Sequence, residues 1–70
     1  MENEHDTLIR QYLERHFDAA YMVLSKEQVV VTCRLGSALF RFPFYARQYY
    51  EAFPYDVVNT IWQRIIKYDL

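Results

Sequence analysis

Few side chains in this sequence have the types and spacing that catalysis or metal binding requires. Hydrolytic chemistry needs a nucleophile, a base within hydrogen-bond reach and donors for developing charge, and these groups usually lie on turns that contain glycine. Gly36 is the single glycine, so phosphate-binding loops of the GxxxxGK[ST] or GxGxxG type are excluded. Cys33 is the single cysteine, and its place on the apolar side of a predicted strand favours an inert buried thiol. We therefore expect no enzymatic activity, no cofactor and no metal site.

His16 is a titratable residue in the middle of an apolar helical stripe. That position predicts an imidazole largely buried against aromatic neighbours, bonded to a tyrosine hydroxyl or a backbone carbonyl. The alternative is a pH switch, because charging a buried imidazole would strain the packing around it.

The basic residues offer a second kind of chemistry, the binding of nucleic acid. Residues 1–27 have three more acidic than basic side chains, whereas the rest of the chain has two more basic than acidic ones. The candidate phosphate contacts are Arg34, Arg41, Arg47, Arg64 and Lys67. A net charge of −1 argues against a general polyanion binder. Arg34 and Arg41 are also predicted on a strand face without the aromatic rings that single-stranded nucleic acid requires. Nucleic-acid binding is therefore the alternative hypothesis.

Aromatic residues are unusually dense in the middle of the chain, where eight of the sixteen residues from Phe40 to Tyr55 are Phe or Tyr. A core this small cannot enclose so many rings, and rings without an internal place are typical of protein interfaces. Tyr49 and Tyr50 lie 100° apart on a helix, so one of them is expected at a rim. The apolar arc of the last helix is wider than one contact surface needs. The predicted protein interface comprises Tyr49, Tyr50, Trp62 and Ile66.

The first element that must position these residues is a helix, predicted over residues 4–24. Apolar residues recur at the helical period through this segment, and charged residues fill the opposite side. Asn3 is the predicted N-cap, and the acidic side chains of Glu4 and Asp6 complement the helix dipole.

A β-hairpin is predicted over residues 28–44, with Gly36 and Ser37 forming a type II′ turn. This register places Cys33 opposite Phe40 and sets the other apolar residues against each other on one inner face. The inner face comprises Val29, Val31, Cys33, Phe40, Phe42 and Phe44. Pro43 lacks an N–H, so the second strand is expected at an edge, and any added strand is expected to pair with the first.

Two further helices complete the predicted fold. A short helix is expected at residues 45–53, because Pro54 disfavours helical geometry at the preceding residue. A second helix is expected at residues 57–68, with Asp56 as its N-cap. The sequence thus predicts one small α+β domain over residues 1–70, in the order α-β-β-α-α, with a two-stranded antiparallel hairpin packed against helices.

These features favour a small non-enzymatic protein-binding regulator, adaptor or inhibitor of bacterial or phage type. The first candidate partner is a second copy of the chain in a homodimer, and no small-molecule substrate is implied. A subunit of a larger enzyme is a third alternative. The acidic N-terminal residues are unlike a signal peptide, the apolar runs are too short to span a membrane, and the lone cysteine suits a reducing compartment. A cytoplasmic location is therefore expected.

Overall fold

The computed structural model describes residues 3–69 and the side chains as far as Lys67. Six elements follow one another: α1 (Glu4–Leu13), β1 (Ala19–Leu24), β2 (Gln28–Leu35), β3 (Ala38–Tyr45), α2 (Ala46–Glu51) and α3 (Pro54–Asp69). The strands form one antiparallel sheet in the order β1-β2-β3. The α+β class predicted from the sequence is confirmed, with a third strand added to the predicted hairpin.

Helix α1 begins as predicted, because the Asn3 side chain accepts a hydrogen bond of 2.8 Å from the backbone N–H of Asp6. The helix ends much earlier than predicted, at Leu13. The backbone N–H groups of His16 and Phe17 both donate to the Leu13 carbonyl and turn the chain. The prediction of one helix over residues 4–24 is therefore wrong beyond Leu13.

Residues Ala19–Leu24 form a strand because the free side of β2 offers them complete backbone pairing. Ala20 lies opposite Cys33, and Leu24 lies opposite Val29. The β1 side chains on both faces of the sheet are apolar, so the sequence of β1 shows no alternation of polar and apolar residues that would indicate a strand. The expectation that an added strand would pair along β2 is confirmed, and the chain itself supplies that strand.

The early end of α1 also changes the place of His16. His16 lies in the turn after the helix and is exposed, whereas Phe17 points into the core and is 7% exposed. The predicted burial of His16 is wrong, because the helical stripe on which it rested does not continue past Leu13.

The predicted β2–β3 register is confirmed. Cys33 pairs with Phe40, Val31 with Phe42, and Val29 with Phe44. Gly36 has a φ of +61°, and no other described residue has a positive φ. A positive φ at the first turn residue alone is the signature of the type II′ turn. The inner-face residues are buried or partly buried, as predicted.

The two C-terminal helices are confirmed with shifted bounds. Helix α2 is shorter than predicted, and α3 begins at Pro54, three residues before the predicted start. The backbone N–H of Asp56 donates to the Phe53 carbonyl, so Asp56 lies in the first turn of α3. Its prediction as the N-cap is wrong, because proline is well suited to the first helical position, where its missing N–H costs nothing.

The helices cover one face of the sheet and, among the described side chains, enclose one cluster of buried residues. Its members are Ile9, Leu13, Phe17, Ala20, Val29, Val31, Cys33, Phe42, Tyr49, Val57, Val58 and Ile61. The opposite face of the sheet bears Tyr21, Val23 and Leu39, which are 47%, 52% and 44% exposed. Within residues 3–69, no helix has the length and apolar character needed to cross a membrane.

Candidate protein-binding surface

Trp62 occupies the centre of an aromatic cluster at the C-terminal end of α1. Its ring stacks on the buried Phe17 ring with centroids 5.6 Å apart and planes 22° from parallel. The exposed His16 ring meets it nearly perpendicularly, with centroids 5.2 Å apart. Phe17 in turn contacts Phe40 of β3. Because rings on two sides fix its orientation, Trp62 can contact a partner with little loss of side-chain freedom.

Two shallow hollows flank Trp62, each with a volume of about 220 Å³. Both are bordered by His16 and Trp62. The first is more polar and extends between α1 and α3 toward Tyr12, Arg15 and Tyr55. The second is more apolar and extends toward the sheet. Its lining residues are His16, Phe17, Leu35, Phe40, Trp62 and Ile65.

The rim of these hollows is rich in accessible apolar groups. Tyr55 is 65% exposed and its ring meets the Tyr12 ring edge-on at 6.1 Å. Ile66 is 52% exposed and lies one turn after Trp62, on the same side of α3. We call this region the Trp62 surface; it comprises Tyr12, His16, Leu35, Phe40, Tyr55, Trp62, Ile65 and Ile66.

The structure divides the four predicted interface residues between two places. Trp62 and Ile66 belong to the Trp62 surface, whereas Tyr49 and Tyr50 lie on α2 near the other end of α1. Tyr49 has no exposed area, so it belongs to the core and not to a contact surface. Tyr50 is 41% exposed. The expectation that one of the two tyrosines would lie at a rim is confirmed.

A buried carboxylate explains why Tyr49 is internal. The Tyr49 hydroxyl donates a hydrogen bond of 2.6 Å to Asp6, which is 3% exposed. The Tyr50 hydroxyl donates to the second oxygen of the same carboxylate over 3.4 Å. Burial raises the pKa of Tyr50, and the negative charge of Asp6 acts in the same direction.

His5 joins this group, which we call the Asp6 junction and which comprises His5, Asp6, Tyr49 and Tyr50. Its Nε2 lies 2.8 Å from the Ala52 carbonyl oxygen, so this nitrogen carries the hydrogen. Its Nδ1 lies 3.4 Å from Asp6 Oδ1, and its ring packs edge-on against Tyr49. The junction attaches the start of α1 to α2. The sequence predicts Asp6 as a residue that complements the helix dipole, and no local signal reveals that a residue 43 positions away bonds to it.

The five predicted nucleic-acid contacts are separated by the fold. Arg34 and Arg41 share the uncovered face of the sheet, and Arg34 lies 3.7 Å from Asp18. Arg47 donates to Glu51 within α2. Arg64 donates to the Pro43 carbonyl and lies over the Phe44 ring on the inner side of the sheet. Lys67 lies in the last turn of α3. Three of the five side chains thus have acceptors within the chain.

The remaining reactive groups are internal or dispersed. Cys33 has no exposed area, and burial raises the pKa of its thiol to about 11, which keeps it protonated at neutral pH. Among the side chains of residues 3–67, no three from His, Cys, Asp or Glu lie close enough together to hold a metal ion.

Comparison with known proteins adds no relative. No family model matches the chain, and searches of curated proteins and of solved structures gave no significant match.

Proposed function

We propose that this chain is a small non-enzymatic regulator, adaptor or inhibitor that binds another protein through the Trp62 surface. The observation that carries the proposal is the geometry of Trp62. A ring held in place by Phe17 and His16 lies between two hollows, where side chains of a partner can enter. Interfaces concentrate binding energy in such aromatic residues near their centre.

The surroundings of Trp62 support a protein as the ligand. The exposed Tyr55, Leu35 and Ile66 provide apolar contact area around the anchor, and His16 and Arg15 provide polar groups at its rim. This composition of aromatic, aliphatic and arginine side chains resembles that of protein interfaces. We further propose a cytoplasmic location, since a free buried thiol at Cys33 fits a reducing compartment. Self-association as a homodimer is a separate proposal, because it uses a part of the chain outside the Trp62 surface.

The experiment uses a photo-crosslinking amino acid at Tyr55, beside the anchor, in cells of the native host. A protein crosslinked there is purified and titrated against the chain, with the fluorescence of Trp62, the single tryptophan, as the reporter. Trp62→Ala is expected to weaken binding by on the order of 2 kcal/mol or more. Because that variant lacks the reporter, its affinity is measured by calorimetry.

Tyr45→Ala is the matched control. Tyr45 is an aromatic residue with 68% exposure, and it lies at the opposite end of β3 from Phe40, about 17 Å along the strand. Binding that is retained in Tyr45→Ala and lost in Trp62→Ala supports the proposal, and the reverse result contradicts it. Affinity for nucleic acid that falls steeply with salt would instead favour the alternative function.

A further inference from the structure

We propose that two copies of this chain associate through the free edges of their β1 strands, which pair antiparallel and form one continuous six-stranded sheet. This homodimer leaves both Trp62 surfaces free, and it stands independently of the function proposed for them. The two edges of the sheet differ in how well they are protected from pairing with another strand.

The β3 edge has two features that protect edge strands from pairing. Pro43 lacks the N–H that would otherwise point outward, and Arg41 adds a charge. The β1 edge has neither. Its sequence, AAYMVL, contains no proline, no glycine and no charge over six residues. An uncharged, regular edge strand of this kind is a template for another strand.

The hydrogen bonds of the β1–β2 hairpin show which backbone groups of β1 are available. The backbone N–H of Ser25 donates to Gln28, which makes this pair a hydrogen-bonded one. Hydrogen-bonded and non-hydrogen-bonded pairs alternate along an antiparallel ladder, so Tyr21 and Val23 also direct their backbone groups toward β2. Met22 and Leu24 direct theirs to the free edge, and so does Ala20, which is the least accessible of the three at 6% exposure.

These three residues define one best register for a second copy. When Met22 lies opposite Met22 of the second copy, Ala20 lies opposite its Leu24, and the pairing is symmetric about a two-fold axis. Every outward backbone group then has a partner, and about six hydrogen bonds form. A shift in either direction leaves some of these groups unpaired.

Side chains favour the same register. Tyr21 of one copy lies opposite Val23 of the other on the uncovered face of the sheet, and such aromatic and β-branched cross-strand pairs stabilise antiparallel strands. These two side chains are 47% and 52% exposed in the single chain. Lys26 of one copy comes near Asp18 of the other, whose carboxylate also accepts a hydrogen bond of 2.8 Å from the Gly36 N–H within its own chain.

The first test compares Leu24→Pro with Leu24→Ala by sedimentation equilibrium over a concentration series. Leu24 is 59% exposed, and proline there removes an outward N–H without removing a bond to β2. We expect the parent and Leu24→Ala to dimerise and Leu24→Pro to be at least tenfold weaker. Circular dichroism verifies that both variants are folded. A parent that is monomeric at all concentrations would overturn the proposal.

The second test reads the register by disulfide formation in a Cys33→Ala background. Met22→Cys is expected to crosslink two copies under a mild thiol oxidant, because residue 22 faces its own counterpart at a distance that a disulfide spans. Val23→Cys is the control, since it faces Tyr21 and should crosslink much more slowly. Equal rates would mean random collision and would contradict the register.

The same variants separate this dimer from one built on the Trp62 surface. Trp62→Ala is expected to remain dimeric, and Leu24→Pro is expected to bind the crosslinked partner protein through its intact Trp62 surface. If Trp62→Ala is monomeric while Leu24→Pro dimerises, the second copy occupies the Trp62 surface and the β1 pairing is wrong.

Discussion

The two ends of α1 place aromatic rings in opposite situations. At its N-terminal end, the Asp6 junction brings two tyrosines to one buried carboxylate, and Tyr49 becomes fully internal. At its C-terminal end, Trp62 rests on Phe17 beside an exposed histidine and two open hollows. The difference shows that aromatic density alone does not identify an interface.

Hydrogen bonding accounts for the difference. A buried carboxylate needs donors, and the hydroxyl of Tyr49 provides one at 2.6 Å, so the ring is held inside by both its polar and its apolar parts. The rings at the other end pack against one another by their faces and edges, and this packing leaves the rim open. We therefore expect stability to depend on one end of α1 and recognition on the other.

The largest expected effect is that of Tyr49→Ala. Removing a fully buried ring should lower the free energy of unfolding by about 3–5 kcal/mol, which is enough to unfold a small domain. Tyr55→Ala is the matched variant at the other end, and its 65% exposure predicts a loss below about 1 kcal/mol. Urea unfolding followed by circular dichroism measures both. Equal losses would show that the two ends do not differ as described.

A smaller effect is expected from Tyr49→Phe, which keeps the ring and removes the hydroxyl. The Asp6 carboxylate then loses its shortest hydrogen bond, and bonds to charged groups contribute about 1.5–3 kcal/mol. Tyr55→Phe should change stability very little. The assay is the same urea titration, and an unchanged midpoint for Tyr49→Phe would mean that the junction holds α1 and α2 together by packing alone.

The smallest effect concerns alkaline pH at the Asp6 junction. The pKa of Tyr50 is raised above its ordinary value of 10.0, so the folded chain holds this proton more tightly than the unfolded chain does. Its contribution to stability is present below about pH 10 and is lost as pH rises through the folded value. The stability difference between the parent and Tyr50→Phe should therefore shrink from pH 9 to pH 11. Cys33 also titrates in this range, but it does so in both proteins. A constant difference would argue against the influence of burial and of Asp6.

Local patterns determined a large part of this fold. The register of β2 and β3, the type II′ turn at Gly36 and the edge position of Pro43 all follow from alternation and turn chemistry among neighbouring residues. The Asn3 cap and the existence of two C-terminal helices follow in the same way. Each of these features depends on residues close together in the chain, so the local sequence pattern is enough to predict it.

Tertiary structure decided the features that depend on distant partners. Residues Ala19–Leu24 are apolar on both sides, so neither period is distinctive, and only the unpaired edge of β2 makes them a strand. Because the chain turns before this strand, His16 is exposed and Phe17 packs in the core against the Trp62 ring. Tyr49 became internal because Asp6, far away in the chain, requires a donor when it is buried. The backbone groups of β1 and the carboxylate of Asp6 find their hydrogen-bond partners only in the assembled fold. The sequence alone therefore could not predict the positions of these residues.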